Sequence, residues 1–262
     1  VTVAVVGRVI EHRALQYRRT FRASIFSSFL SPTLFLAAMG LGLGTYVDQG
    51  GGNAALGDLS YVEFLAPGLL AATLMQGAAF ESTFPIMGGL VWNRVYHAMY
   101  ATPIEARDVA LGNLAWIAVR LTMVAVVFTL VMAVFGAVRS PLALLAIPAG
   151  VLTGMAFAGP IMAFSATQRT PEKFNAVFRF GITPLFLFSG TFFPIENLPE
   201  AIRPVAWLSP LFHGVELTRG LALGTAGDAP MVMLVHVLVL SAIAVAGAAA
   251  AVVTIRRRLI RG

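Results

Sequence analysis

Two charged side chains lie deep inside apolar runs. Glu81 sits in "FLAPGLLAATLMQGAAFESTFP" (64–85), and Arg120 sits in "LAWIAVRLTMVAVVF" (114–128). A carboxylate and a guanidinium placed in this way can neutralise each other as a structural pair, or they can serve a proton or ion relay. A relay needs several titratable groups in series, and the apolar runs offer little beyond these two. Other chemistry is poorly provided for. Cys is absent, so there are no disulfides and no thiolate metal ligands. His12, His97, His213 and His236 are scattered, with no HExxH-like spacing, and no metal site is expected. A Walker A loop needs Lys followed by Ser or Thr, whereas Lys173, the only lysine, is followed by Phe174. With no nucleophile–base pair either, the chain is not expected to be an enzyme. Any energy source would come from a partner or an ion gradient.

The elements that position these residues follow from composition. The chain has 262 residues, of which 58% are hydrophobic and 11% charged. Soluble domains carry roughly 25% charged residues, so this surface could not face water on every side. A polytopic, all-α membrane protein is the class that fits. Crossing about 30 Å of hydrocarbon takes roughly 20 apolar residues. Six such stretches are predicted, at 24–46, 62–90, 109–135, 142–167, 175–193 and 230–254, with a Pro-rich segment at 194–229. In the first stretch, Gly40, Gly42 and Gly44 read as a close-packing surface rather than a dinucleotide loop, as do Gly150 and Gly154 in the fourth. Glu81 and Arg120 then fall at similar depths in neighbouring spans, where pairing is the economical arrangement.

Basic residues orient the chain. With the N-terminal end cytoplasmic, the inner segments hold Arg8, Arg13, Arg18, Arg19, Arg22, Arg94, Arg107, Arg169, Lys173, Arg256, Arg257, Arg258 and Arg261. The outer segments hold only Arg139, Arg203 and Arg219. This excess predicts that both ends are cytoplasmic. The basic stretch ahead of the first span is too long for a cleavable signal. No polar domain gathers the charge as a nucleic-acid binder would. Residues 5–22 read as an interfacial amphipathic helix, with Val6, Ile10, Ala14, Tyr17 and Phe21 on one face and Arg8, Glu11, His12, Arg18, Arg19 and Arg22 on the other. It would serve either as an anchor or as a mechanical element.

The inner loop "WNRVYHAMYATPIEARDVALGN" (92–113) predicts a short helix over 94–101, stopped by Pro103. Val95 and Met99, joined by Tyr96 and Tyr100, would present an apolar, aromatic knob to the cytoplasm, fit for docking another protein; the alternative is a helical hairpin that packs only on its own spans.

These segments resemble the ABC-2 type transporter permeases. "FLAPGLLAATLMQGAAFESTFP" and "VYHAMYATPIEARDVALGN" look like that family's first half. "FSGTFFPIENLPEAIRPVAWLSPLFHGVELTRGLALG" (188–224) resembles its most specific pattern. The "PGLLA", "FEST" and "ATP" elements are closest to the nodulation lipo-oligosaccharide exporter and daunorubicin-resistance permeases. The resemblance implies a six-span half-transporter in a bacterial inner membrane, paired with an identical or homologous permease and two ATP-binding subunits. ATP and Mg would be held by those subunits and no cofactor by this chain. The loop at 92–108 would be the coupling segment, with Arg94, Val95, Tyr96, Met99, Tyr100, Thr102 and Pro103 meeting the ATP-binding subunit. Residues 194–229 would form a re-entrant extracellular cap shaped by Pro194, Pro199, Pro204, Pro210 and Arg219. The implied function is export of an amphipathic or hydrophobic compound, drug or lipid-like. The alternatives are export of a lipid-linked oligosaccharide and, from a different class, an ion-gradient secondary transporter. The latter would need internal repeats and a titratable relay.

Overall fold

The computed structural model describes residues 2–18, 30, 33–39, 42, 58–200 and 203–261. Every regular element among the described residues is helical. A backbone in hydrocarbon has no water to pair with, so each segment satisfies its own N–H and C=O groups. In chain order the helices are α1 (Thr2–Arg18), α2 (Tyr61–Trp92), α3 (Val95–Tyr100), α4 (Ala106–Val134), α5 (Pro141–Thr167), α6 (172–188), α7 (Arg203–Trp207), α8 (Pro210–Leu223) and α9 (Pro230–Arg261).

Local sequence sets the helix ends. Ser60 starts α2 with a capping box: its hydroxyl accepts from the Glu63 N–H, and the Glu63 carboxylate accepts from the Ser60 N–H at 2.8 Å. Ser140 and Ser209 accept from the N–H of Leu142 and Leu211, each at 3.2 Å. The prolines that follow, Pro141 and Pro210, occupy first-turn positions where a missing N–H costs nothing. Gly224, at φ 86°, stops α8 in the left-handed conformation that a side chain would resist.

Among the described residues, α2, α4, α5 and α9 are long and apolar enough to cross a membrane. They are not equivalent. In its most apolar stretch α2 is 72% buried within the chain, against 22% for α9. Thus α2 is the central post and α9 a peripheral helix, with Val245 and Leu238 turned outward. Leu65, Leu70, Leu74 and Met75 of α2 meet Ile117 and Phe128 of α4 and Met162 of α5 in one apolar core. Gly150 and Gly154 lie where α5 meets α2 and α4: a Cβ on either would stand 2.5 Å from Leu74 or Leu121. The tightest crossing joins α5 to α9, where a Cβ on Gly247 would fall 2.2 Å from the Pro160 ring.

Two expectations change, and a third falls mostly outside the described residues. The stretch 175–193 is not one uninterrupted α-helix. Its helix is α6, which contains a π-helical turn at Val177–Ile182, rises about 25 Å and ends at Phe188. The chain then turns through Gly190 (φ 80°). The stretch 24–46 lies mostly outside the described residues, as do Gly40, Gly44, Arg19, Phe21 and Arg22. Finally, α1 seats a different face from the one read in the sequence. Val9 is fully buried, Val6, Ile10, Arg13 and Tyr17 are partly covered, and Ala14 and Leu15 are exposed. The cause is α4: Val9 fills the notch at Gly112, where a Cβ would meet it at 2.5 Å.

Candidate functional site

At the end of the bundle that carries α3, the helices α1 and α4 converge on Glu81 of α2. Arg120 Nε of α4 lies 3.4 Å from Glu81 Oε1, and Arg13 Nη2 of α1 lies 3.8 Å from Oε2. The three side chains are between 11% and 18% exposed, so water screens them little. Both separations exceed the 2.7–2.9 Å of a good charge-assisted hydrogen bond. This is therefore a loose triad with two cations to one anion, not a locked bidentate pair. The Arg120 guanidinium also stacks 4.1 Å over the Tyr17 ring, which meets Trp116 edge-on at 5.7 Å. Pro85, one turn after Glu81, has no N–H for the Glu81 carbonyl, and α2 ends in a π-helical turn at Gly88–Trp92.

Beyond that turn Arg94 adopts φ 51°, the only positive φ at a non-glycine among the described residues, and reverses the chain into α3. Tyr96 is only 2% exposed. Its ring lies against Gly89, where a Cβ would come within 2.3 Å of it. Its hydroxyl donates to Asn113 Oδ1 at 2.8 Å, and Asn113 Nδ2 donates to the Val109 carbonyl. Burial raises the Tyr96 pKa above its ordinary value and keeps the phenol neutral. Tyr96 is thus no part of an outward knob, as the sequence reading had it. It pins α3 to α2 and α4, because only the inward face of so short a helix reaches its neighbours. Val95 and Met99 flank it, half-buried against the core. The exposed surface includes Trp92, Arg94, Tyr100, Thr102 and Pro103. The Thr102 hydroxyl donates to the Met99 carbonyl at 2.6 Å and closes the helix. Burial, then the charges of Arg94 and Arg258, lower the His97 pKa and leave that imidazole neutral. A cavity of 220 Å³ separates α1 from this turn, lined by His12, Arg13, Gln16, Gly89 and Tyr96.

The opposite end is closed by α7 and α8. Arg219 of α8 donates to the Gly190 carbonyl at 2.7 Å, the Phe64 carbonyl at 3.2 Å and Glu216 at 2.7 Å, with its guanidinium 3.9 Å over the Phe64 ring. Thr218 donates to the Pro67 carbonyl at 2.9 Å. The "SG" of residues 189–190 thereby acquires a physical reason. The Ser189 hydroxyl is 2.8 Å from that of Ser209, and the positive φ of Gly190 accompanies a carbonyl turned to Arg219. Pro194 precedes a turn at Ile195–Asn197, Pro204 lies in α7 and Pro210 opens α8. Pro199 is exposed in the connecting loop, which Arg203 braces through the carbonyls of Leu198 and Glu196.

Residues 6–223 match the family described as ABC-2 type transporter. The chain belongs to the ABC-2 type transporter family. The proteins it resembles include nodulation protein J of Rhizobium leguminosarum bv. viciae, 30% identical over 80% of this chain and 79% of that protein. Nodulation protein J of R. leguminosarum bv. trifolii is 31% identical over 80% and 78%. That of Bradyrhizobium diazoefficiens is 30% identical over 94% and 91%. This ABC-2 chain is therefore a polytopic helical membrane protein and a transport subunit, in agreement with the family read from its motifs.

The structure of the ABC-2 chain also shows groups that the sequence reading missed. Arg13 carried a signal, since Val6, Val9, Ile10, Arg13 and Tyr17 follow a three–four spacing. Arg139, read only as a topology marker, donates through Nη2 to Glu63 Oε2 at 2.7 Å and to the Asp58 carbonyl at 2.8 Å. It joins the start of α2 to the α4–α5 turn, a contact between residues 76 positions apart. His213 and His236 bring their Nδ1 atoms within 2.7 Å of each other between α8 and α9, and no sequence spacing announces that contact.

Proposed function

We propose that the chain is the membrane subunit of an ATP-driven exporter, assembled with a second permease and two ATP-binding subunits, with α3 and both chain ends on the cytoplasmic side. The observation that carries this reading is the α3 turn. Tyr96 pins it to α2 and α4, so a push on Trp92, Arg94 or Tyr100 is passed to the helix that carries Glu81 instead of being lost in a pliant loop. In this reading α3 is the coupling helix, Arg94, Val95, Tyr96, Met99, Tyr100, Thr102 and Pro103 form the receiving element, and the partner's ATP hydrolysis drives the cycle. The helices α7 and α8, held by Arg219, form the outer cap past which cargo leaves. The remaining two of six spans are the stretches 24–46 and 175–193.

The cargo is an amphipathic, lipid-like compound. Among such compounds, the likeness to nodulation proteins J favours a lipid-linked oligosaccharide over a drug. Because the sequence contains no cysteine, single-cysteine variants need no background substitutions. Tyr100→Cys and Thr102→Cys should cross-link to the ATP-binding subunit, whereas a cysteine at Thr225 in the cap should not. Cross-linking only from the cap would reverse the orientation. ATP-dependent movement of a labelled lipid-linked glycan in proteoliposomes tests the cargo, and uptake driven by a proton gradient without ATP would replace this reading with a secondary transporter.

A further inference from the structure

At the α3 end of the bundle, the last turns of α9 and the end of α5 enclose a basic cavity of 250 Å³, lined by Ala166, Thr167, Thr254, Arg169, Arg257, Arg258 and Arg261. A second hollow of 400 Å³ adjoins it, bounded by Val253, Arg256 and Ile260 and sharing Arg257 and Arg261. None of these five arginines forms an ion pair or a side-chain hydrogen bond among the described residues. The nearest carboxylate in sequence, Glu172, is engaged by Thr170.

Topology alone would explain a few arginines here, and so would the negative end of the α9 dipole. Neither explains their arrangement. Arg257 and Arg261 are spaced i,i+4, where like charges disfavour the helix. The carbonyl ends of α5 and α9 contribute about half a negative charge each, which leaves several positive charges around one hollow unanswered. An anion is the missing partner. It should be carried by a lipid, because the hollow continues into an apolar, outward stripe on α9. Ala242, Val245, Ala246, Ala249 and Val253 are exposed along one face and lead to Ile260 and the arginines. A headgroup phosphate among guanidiniums, with an acyl chain along that stripe, meets both demands.

We infer that Arg169, Arg257, Arg258 and Arg261 form a binding site for the phosphate of an anionic phospholipid of the cytoplasmic leaflet. The leaflet rests on the orientation proposed above; the binding itself does not. Arg258 is also near enough to His97 to lower its pKa, so the bound lipid would adjoin α3.

The full-length chain, purified and delipidated, is titrated with phosphatidylglycerol, cardiolipin or phosphatidylcholine and examined by native mass spectrometry. Retention of the anionic lipids over phosphatidylcholine is expected. The double substitution Arg257→Gln and Arg261→Gln should weaken retention about 30-fold, at the strength of two arginines facing an anionic surface. Arg8→Gln, an equal loss of charge per site on α1, should leave it unchanged. A photoactivatable phosphatidylglycerol on the unsubstituted protein should label peptides covering 166–169 and 253–261, which keeps the proposal testable if the double variant folds poorly. Equal retention of phosphatidylcholine, an equal loss in Arg8→Gln, or labelling elsewhere overturns the site. Displacement by millimolar inorganic phosphate overturns its assignment to a lipid. Because these readouts involve no transport, they stand or fall apart from the exporter assignment.

Discussion

At the scale of single residues, Glu81 serves two arginines from two different helices, and this makes the consequences of removing each partner unequal. Glu81→Gln leaves two guanidiniums facing each other with little water to screen them. Removing one partner of a buried pair costs roughly 3–5 kcal/mol, and a marked loss of thermal stability in detergent is expected. Arg13→Gln leaves one cation against one anion and should cost less than Glu81→Gln, because no buried charge is left uncompensated. Equal melting temperatures for the two variants would show that the triad is not an electrostatic unit. The double exchange Glu81→Arg with Arg120→Glu should recover only part of the single losses, because the guanidinium introduced on α2 would face Arg13. Tyr96→Phe isolates a second residue effect. It keeps the ring against Gly89 but leaves Asn113 Oδ1 buried without its donor, at a cost of about 1–3 kcal/mol. Transport should fall relative to ATP hydrolysis in this variant; unchanged coupling would argue against a rigid turn.

At the scale of elements, helix contacts are set by where side chains are absent. The α5–α9 crossing depends on Gly159, Pro160 and Gly247, and the atoms a new Cβ would strike are backbone and ring atoms that cannot rotate away. Gly247→Leu should therefore part the two helices, with a loss of at least about 1–3 kcal/mol and of monodisperse protein in size-exclusion chromatography. Gly7→Ala, where the space is open, is the matched control and should behave like the parent. The existence of the long helices α2, α4, α5 and α9 was legible, because hydropathy and the serine and proline signals at helix starts are local properties. The inward face of α1 was not. Its sequence permits either of two apolar stripes, and the notch at Gly112, more than a hundred positions away, selects the one centred on Val9. The same holds for α3, where composition shows four apolar or aromatic side chains without showing that Tyr96 is the one fully buried.

At the scale of the whole molecule, the two ends of the bundle are tied in different ways. The α3 end has the loose Glu81 triad and a cavity beneath α1. The cap end is bound by hydrogen bonds from Arg219 to two carbonyls and Glu216. Arg219→Lys keeps the charge but loses the planar fork that serves three acceptors at once. It should lower thermal stability and increase leak through the reconstituted transporter without weakening its association with the ATP-binding subunit. A leak unchanged from the parent would remove the cap from the permeation path.

By itself the sequence determined that this is a helical membrane protein of the ABC-2 family. It did so because apolar length, charge asymmetry and motifs are written in contiguous residues. The tertiary structure decided which charges meet and which aromatic residues are hidden. It also placed Arg169, just beyond α5, opposite the arginines of α9. Such contacts join residues tens to more than a hundred positions apart, and only the rotation and crossing of packed helices can select them.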